Sequence, residues 1–267
     1  MFKKKLAMLF IAVMLMALPT AAYAAAVPYV IDRSSLDKGI ITIRYTGKTD
    51  TKAIVRITKG DDTSDYNLAN GARYPLQWGN GVYNVLIAQF ISDNQYKVVG
   101  QESIELKMAD ENEVFLQPIQ LVDWNGETRA VAETAKLTED ALTDKEKAEA
   151  IYSYITHTIR YDNEKARSVT TAYLPDLNIV YDTAEGICYD YAALFAAMAR
   201  SQHIPTRLVM GYAADAPDVY HAWNQIYLQD SGQWVTIDTT YDAARVQKGQ
   251  APEMIKDSAD YTIAQIY

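Results

Sequence analysis

Hydrophobic periodicity changes character part-way along this chain, and the change points to a fold of two parts. Residues 28–108 hold no sustained helical period. Strand-like runs occur at Ile40–Tyr45, Lys52–Thr58, Gly81–Ile91 and Lys97–Leu106. Turn-forming clusters divide them, among them Thr58-Lys59-Gly60-Asp61-Asp62, Trp78-Gly79-Asn80-Gly81 and Ser92-Asp93-Asn94-Gln95. Short strands at this spacing predict a small antiparallel β-sandwich of immunoglobulin-like type over residues 28–108. The polar stretch Met108–Glu113 reads as a linker. From Gly126 the period becomes helical. Glu127–Leu137 forms a short helix, and Thr143-Asp144-Lys145-Glu146 is a capping box opening a longer one that runs to Ile159. Ala148, Ile151, Ile155 and Ile159 mark its buried face. Tyr161–Glu185, with Pro175 and many polar residues, reads as irregular. A loop of that length in a compact domain is often functional, so it is expected to wall a cleft. Helices preceding an antiparallel sheet make residues 113–267 an α+β domain.

That long segment leads into Glu185-Gly186-Ile187-Cys188-Tyr189-Asp190-Tyr191-Ala192-Ala193-Leu194-Phe195, where a glycine turn opens into an apolar helix. Cys188 is the chain's one cysteine. In the first turn of a helix a thiol feels the positive end of the dipole and unpaired N–H groups, which favour the nucleophilic thiolate. The alternative is a small buried apolar residue.

A thiol nucleophile needs a base and a group that orients the base. The chain has three histidines. His221 opens a run whose alternation from Ala222 to Leu228 reads as a strand. After the turn Gln229–Gln233, Trp234–Asp238 reads as a second strand. Antiparallel pairing places the head of the first beside the tail of the second, where His221 and Asp238 can meet. Cys188, His221 and Asp238 then hold the roles of nucleophile, base and orienter; otherwise the latter two merely cap a hairpin. His157 falls on the longer helix and reads as solvated or half-buried. His203 lies between the cysteine helix and the strand Thr206–Met210, as a residue of the helix C-terminus. Alternation sets Trp223 on the face of His221, which makes it a candidate cleft-lining residue.

These residues resemble the transglutaminase-like superfamily in five separated blocks: Gly186–Phe195; Ile204-Pro205-Thr206-Arg207; Gly211-Tyr212; His221-Ala222-Trp223; and Trp234–Thr240. The likeness extends upstream through Ile159-Arg160-Tyr161-Asp162 and covers roughly residues 113–267. One departure is Thr239, where many members have proline. The resemblance implies a papain-like or transglutaminase-like core, with a cysteine-bearing helix on an antiparallel sheet and Cys188, His221 and Asp238 as catalytic triad. It aligns Tyr161 with a tryptophan that helps stabilise the oxyanion in animal transglutaminases, which makes Tyr161 an oxyanion candidate. Tyr189 occupies a position often aromatic in the family and is a second cleft candidate. Animal members use calcium, but no matching ligand positions occur here.

The chemistry expected is amide cleavage through a thioester, passed either to water or to an amine, on a protein or peptide substrate, with cell-wall or surface proteins as one candidate class. Thiol acyl chemistry needs no cofactor, and none is predicted. There is no CxxC, HxxxH or HExxH spacing for zinc and no EF-hand pattern. Two other readings stand beside this one. A wall-peptide hydrolase of the NlpC/P60 type is also Cys–His based, although its cysteine and histidine usually lie further apart than the 33 positions here. A non-catalytic surface scaffold would bind its partner through the sandwich.

Residues 1–24 read as a signal peptide: Lys3-Lys4-Lys5, the apolar run Leu6–Leu18, then Ala22-Tyr23-Ala24. About 13 apolar residues are too few to span a bilayer, which needs roughly 20. Cleavage removes three lysines and no acid, taking the net charge from −9 to −12. That balance argues against a nucleic-acid partner. The expected product is secreted or associated with the cell surface, with no membrane attachment after cleavage.

Overall fold

The computed structural model describes residues 28–46, 52–93 and 95–267; the expected signal peptide lies outside them. The first seven strands are β1 (Tyr29–Asp32), β2 (Ile40–Tyr45), β3 (Ala53–Lys59), β4 (Asp62–Asn67), β5 (Arg73–Pro75), β6 (Gly81–Ser92) and β7 (Gln95–Leu106). They form two antiparallel sheets, ordered β1-β2-β5 and β4-β3-β6-β7. Alternation explains the sandwich. Ile41 and Ile43 on one sheet, and Val55, Ile57, Tyr83, Val85 and Ile87 on the other, are all fully buried and join one core. The sheets approach so closely that a Cβ at Gly100 of β7 would lie 1.9 Å from the ring of Tyr29 in β1.

Within Met108–Glu113, Met108 is buried while Ala109, Asp110 and Glu111 are exposed. A 3-10 turn over Glu111–Leu116 follows Asp110, whose side chain accepts from Asn112 N–H. Met108, Val114 and Phe115 are buried, so apolar residues seat this crossing against the core. Beyond it come α1 (Arg129–Leu137) and α2 (Asp144–Thr158), the latter opened by the Thr143–Glu146 capping box.

Tyr161–Glu185 is also more ordered than its sequence implies. After the two-residue β8 (Arg160–Tyr161) it contains α3 (Asn163–Ser168) and α4 (Leu177–Thr183), and it ends in β9 (Glu185–Gly186). Asp162 caps α3 by accepting from Lys165 N–H, and Asp176 caps α4 by accepting from Asn178 and Ile179. An aspartate cap stabilises a helix by about 1 kcal/mol, which matters most in helices too short to show a period.

α5 (Cys188–Ser201) is buried on every side from Asp190 to Arg200. A helix apolar all round must sit centrally. Here α1, α2, α4 and α6 (Thr239–Gln247) cover it on one side, and β10 (Thr206–Ala213) and β11 (His221–Leu228) on the other. The antiparallel sheet beneath is completed by β12 (Gln233–Ile237), β13 (Ile255–Lys256) and β14 (Tyr261–Ile266), in the order β13-β12-β11-β10-β14. Fully buried Asn224 fastens β11 to the helix by donating to the Ala192 carbonyl at 3.0 Å. The fold is α+β, a cysteine-bearing helix on an antiparallel sheet, preceded by a β-sandwich.

The two parts touch through β14. Ser64 of β4 donates to Gln265 Oε1 at 3.1 Å, and Gln77 Nε2 donates to the Ile266 carbonyl at 3.2 Å. The ring of Tyr66 meets Tyr267 edge-on at 5.9 Å. Arg200, at the far end of α5, is 2% exposed. Its guanidinium donates to main-chain oxygens of Thr206, Gln117 and Tyr267 at 2.9, 2.7 and 3.2 Å. Burial pushes its pKa down, and these three acceptors hold the cation in place.

Candidate active site

Cys188 stands at the first position of α5 because the turn ahead of it is shaped by Asp190. The Asp190 carboxylate folds back to accept from Ile187 N–H at 2.8 Å. A Cβ at residue 186 would lie 2.7 Å from that of Asp190, so the turn requires glycine. Asp190 is fully buried, and Lys165 Nζ meets it at 2.7 Å. The Tyr173 hydroxyl donates to its other oxygen. Lys165 and Tyr173 both belong to the Tyr161–Glu185 segment, which is thereby fixed to the cysteine helix. As the first helical residue, Cys188 has an N–H with no acceptor inside the helix, aimed where an anion would be stabilised.

Asp238 ends the β11–β12 hairpin and caps α6, and it is 1% exposed. Its Oδ1 accepts from Tyr241 N–H at 2.9 Å, and its Oδ2 meets His221 Nε2 at 2.7 Å. Asn224 pairs with Ile237. One step further the ladder sets Asp238 opposite Trp223, so His221 reaches its partner diagonally. Nε2 is engaged by Asp238, and Cys188 is close enough for its sulfur to act on the imidazole. Burial alone would lower the His221 pKa. The hydrogen bonds to Asp238 and Cys188, and the charges of both, outweigh burial and raise it to about 10. The arrangement favours a protonated imidazole between a carboxylate and a sulfur. It can hold a thiolate, deliver a proton to a leaving amine and take one back from water.

The remaining candidates are placed less uniformly. Tyr161 is 39% exposed and pairs with Gly186 across the β8–β9 bridge, two residues before Cys188. Burial, then the charges of Cys188 and Asp190, raise its pKa, so it carries its proton. Trp223 does share the face of His221, stacked on the imidazole at 6.1 Å and 25°. At 1% exposure, however, it is a floor beneath the ring rather than a wall open to substrate. Tyr189 meets Tyr173 edge-on at 6.1 Å, and its hydroxyl is buried without a partner. Burial, with Tyr267, Tyr173 and Asp190 nearby, pushes its pKa up, so this residue packs inward. His157 bonds the Ser153 carbonyl through Nδ1 at 2.8 Å on the exposed side of α2. His203, exposed with φ 62°, follows the opposite end of α5 from Cys188.

One residue that sequence patterning did not single out joins the site. Tyr261, at the start of β14, donates its hydroxyl to Asp238 Oδ2 at 3.2 Å and packs on Trp223 at 5.0 Å. Its only advance signal was an aromatic in a short apolar run. Behind it lies a second buried carboxylate, Asp242, which accepts from the Tyr152 hydroxyl and from Lys256 Nζ, each at 2.6 Å. Among the described residues, no group of three or more His, Cys, Asp or Glu is placed to hold a metal ion.

The sequence model of the Transglutaminase-like superfamily matches residues 131–239, a span that encloses Cys188, His221 and Asp238. Over those residues the chain is similar to the transglutaminase-like superfamily. Curated relatives are similar over part of the chain. Kyphoscoliosis peptidase of Mus musculus is 30% identical over 119 residues, 41% of this chain and 18% of that protein. A protein-glutamine gamma-glutamyltransferase of Pseudomonas aeruginosa is 31% identical over 94 residues, 30% of this chain and 14% of that protein. The chain thus spans less than a fifth of either relative. Among solved structures, the periplasmic domain of TgpA from Pseudomonas aeruginosa is 16% identical, covering 83% of this chain and 96% of that one, with a TM-score of 0.41. Red sea bream transglutaminase is 13% identical, covering 75% of this chain and 48% of that one, with a TM-score of 0.34. The transglutaminase-like superfamily joins transglutaminases with cysteine-protease-like proteins, and its members are typically cysteine enzymes.

Proposed function

We propose that this chain is an exported thiol enzyme that acts on amide bonds through Cys188, His221 and Asp238. The observation that carries the reading is His221, held at 2.7 Å by buried Asp238 and, against burial, raised in pKa by both Asp238 and nearby Cys188. The Cys188 thiolate attacks a carboxamide or peptide carbonyl, and the oxyanion is met by the Cys188 N–H, with the Tyr161 hydroxyl beside it. Imidazolium at His221 gives its proton to the leaving amine, and a thioester remains. Water then releases an acid, or a lysine amine forms a new amide.

The two named relatives represent both outcomes, a peptidase and a glutamyltransferase. The substrate is a protein or peptide, in keeping with the family. Export follows from the leader-like residues 1–24. Among the described residues no helix is long and apolar enough to cross a membrane.

Incubation of the protein with candidate surface proteins, with and without dansylcadaverine, tests the reading. Incorporated amine indicates transfer, new termini indicate proteolysis, and a one-dalton gain on glutamine indicates deamidation. Each must disappear in Cys188→Ser, because a serine hydroxyl is not ionised by that histidine. Products that persist in Cys188→Ser sink the proposal. New fragments from purified peptidoglycan would move the assignment to wall-peptide hydrolysis. Partner capture by Cys188→Ala without any turnover by wild type would favour a scaffold.

A further inference from the structure

We infer that Tyr261 is a positioning residue of the triad, whose hydroxyl shares Asp238 Oδ2 with His221 and so limits how tightly that carboxylate holds the imidazolium. The inference rests on the thiol-enzyme reading above.

Three donors converge on the Asp238 carboxylate: Tyr241 N–H on Oδ1 at 2.9 Å, and His221 Nε2 at 2.7 Å and Tyr261 Oη at 3.2 Å, both on Oδ2. At 1% exposure the carboxylate has almost no water to compete for these bonds. Charge that Oδ2 commits to the phenol is withheld from the imidazole, an effect largest in a low-dielectric site. Tyr261 is placed independently of this bond. Its backbone pairs with Ala213 in the β10–β14 ladder, and its ring leans on Trp223, which in turn stacks on His221. The four side chains therefore close a ring around one oxygen. Burial, followed by the charges of Asp238, Asp215 and Asp242, pushes the phenol's pKa far up, so it donates at every working pH.

The titratable and charged groups around the ring come from every neighbouring element. They include Cys188 of α5, Tyr152 of α2, Asp242 and Arg245 of α6, Lys256 of β13, Asp215 in the turn after β10, and Glu253, Asp257 and Asp260 around the cavity that Tyr261 lines. Tyr152 and Lys256 are both committed to Asp242. Tyr261 is itself the neutral donor on the oxygen that His221 uses. Tyr261→Phe keeps the ring on Trp223 and removes only that donor.

The test uses the single cysteine. Carbamidomethylation of the full chain by iodoacetamide forms one S–C bond at Cys188 and releases iodide, so intact mass reads the site directly. Rates are measured from about pH 4 to 11 for wild type, Tyr261→Phe and His221→Ala. Without the phenol, Oδ2 serves His221 alone and the imidazolium persists further into alkali. The alkaline boundary of the profile is expected to rise by about half a pH unit, a factor of about three in the protonation constant, with little change in Tm. A boundary that stays or falls in Tyr261→Phe, while His221→Ala alters the wild-type profile, overturns this inference and leaves the triad reading intact. A profile in wild type that matches a simple thiol and ignores His221→Ala overturns both.

Discussion

Lys165 and Asp190 meet at 2.7 Å, with the carboxylate fully buried, and their ion pair fastens α3 to the first turn of the helix that carries Cys188. The same carboxylate closes the Ile187 turn. One side chain therefore sets both the direction of the Cys188 N–H and the seat of the segment beside it.

Asp190→Ala removes the cap and leaves Lys165 without its partner. The loss is expected to be about 2–4 kcal/mol, below the range for a fully buried pair because Lys165 keeps some exposure. Urea unfolding measures it, and iodoacetamide labelling of Cys188 at neutral pH should slow in parallel. A change under about 0.5 kcal/mol would mean that the ion pair does not hold the turn.

Stability should depend on pH through His221. Its pKa rises from 6.5 to about 10 on folding, so the imidazolium's contribution is complete below pH 6.5 and is lost as pH climbs through 10. Wild type should lose unfolding free energy across that window, and His221→Ala should flatten the decline. Equal slopes for the two proteins would contradict the raised pKa. Near neutrality the variant should also label more slowly at Cys188, by about tenfold or more.

Asp238→Asn poses a geometric conflict. An amide offers one oxygen and one NH2 group to three donors arranged on two oxygens. With its oxygen toward His221 and Tyr261, the amide nitrogen faces Tyr241 N–H, and the α6 cap is lost at a cost of about 1 kcal/mol. The variant should retain some activity, a lower Tm and a pH profile narrowed on the alkaline side. Wild-type behaviour at every pH would remove Asp238 from the triad.

Gly211 pairs with His221 across β10 and β11 and sits at a register shift against β14. A Cβ there would lie 2.0 Å from the Thr262 carbonyl and 2.9 Å from the Trp223 ring. Backbone cannot yield as a side chain would. Gly211→Ala is expected to lose about 2 kcal/mol or more by denaturant unfolding, and a neutral result would show that β14 is free to shift.

Much of this arrangement was legible in the residues because it is local. The hairpin's short turn brings His221 to Asp238, and the Thr143–Glu146 box announces α2. Alternation at Tyr83, Val85 and Ile87 gives β6. What escaped depends on partners distant in sequence. β4 has only Ser64 and Tyr66 turned inward among polar neighbours, so its alternation is too sparse to read. α3 and α4 are shorter than two turns and exist through an aspartate cap and tertiary seating. β13 has two residues and takes its place from β12. Tyr261 became visible only when β14 was laid beside β10. Trp223 was assigned the correct face, but the depth of that face is a property of the neighbours covering it.

β14 ends in two different jobs. Tyr261 at one end touches the carboxylate of the triad, while Gln265, Ile266 and Tyr267 at the other are gripped by Ser64, Gln77 and Tyr66 of the sandwich. Four steps along the strand, about 13 Å, separate Tyr261 from Gln265. Cutting the chain near residue 108 would therefore strip the bearing on which the last strand rests, with an apolar seam exposed beside it. The second half is better regarded as the upper storey of a building than as a detachable module.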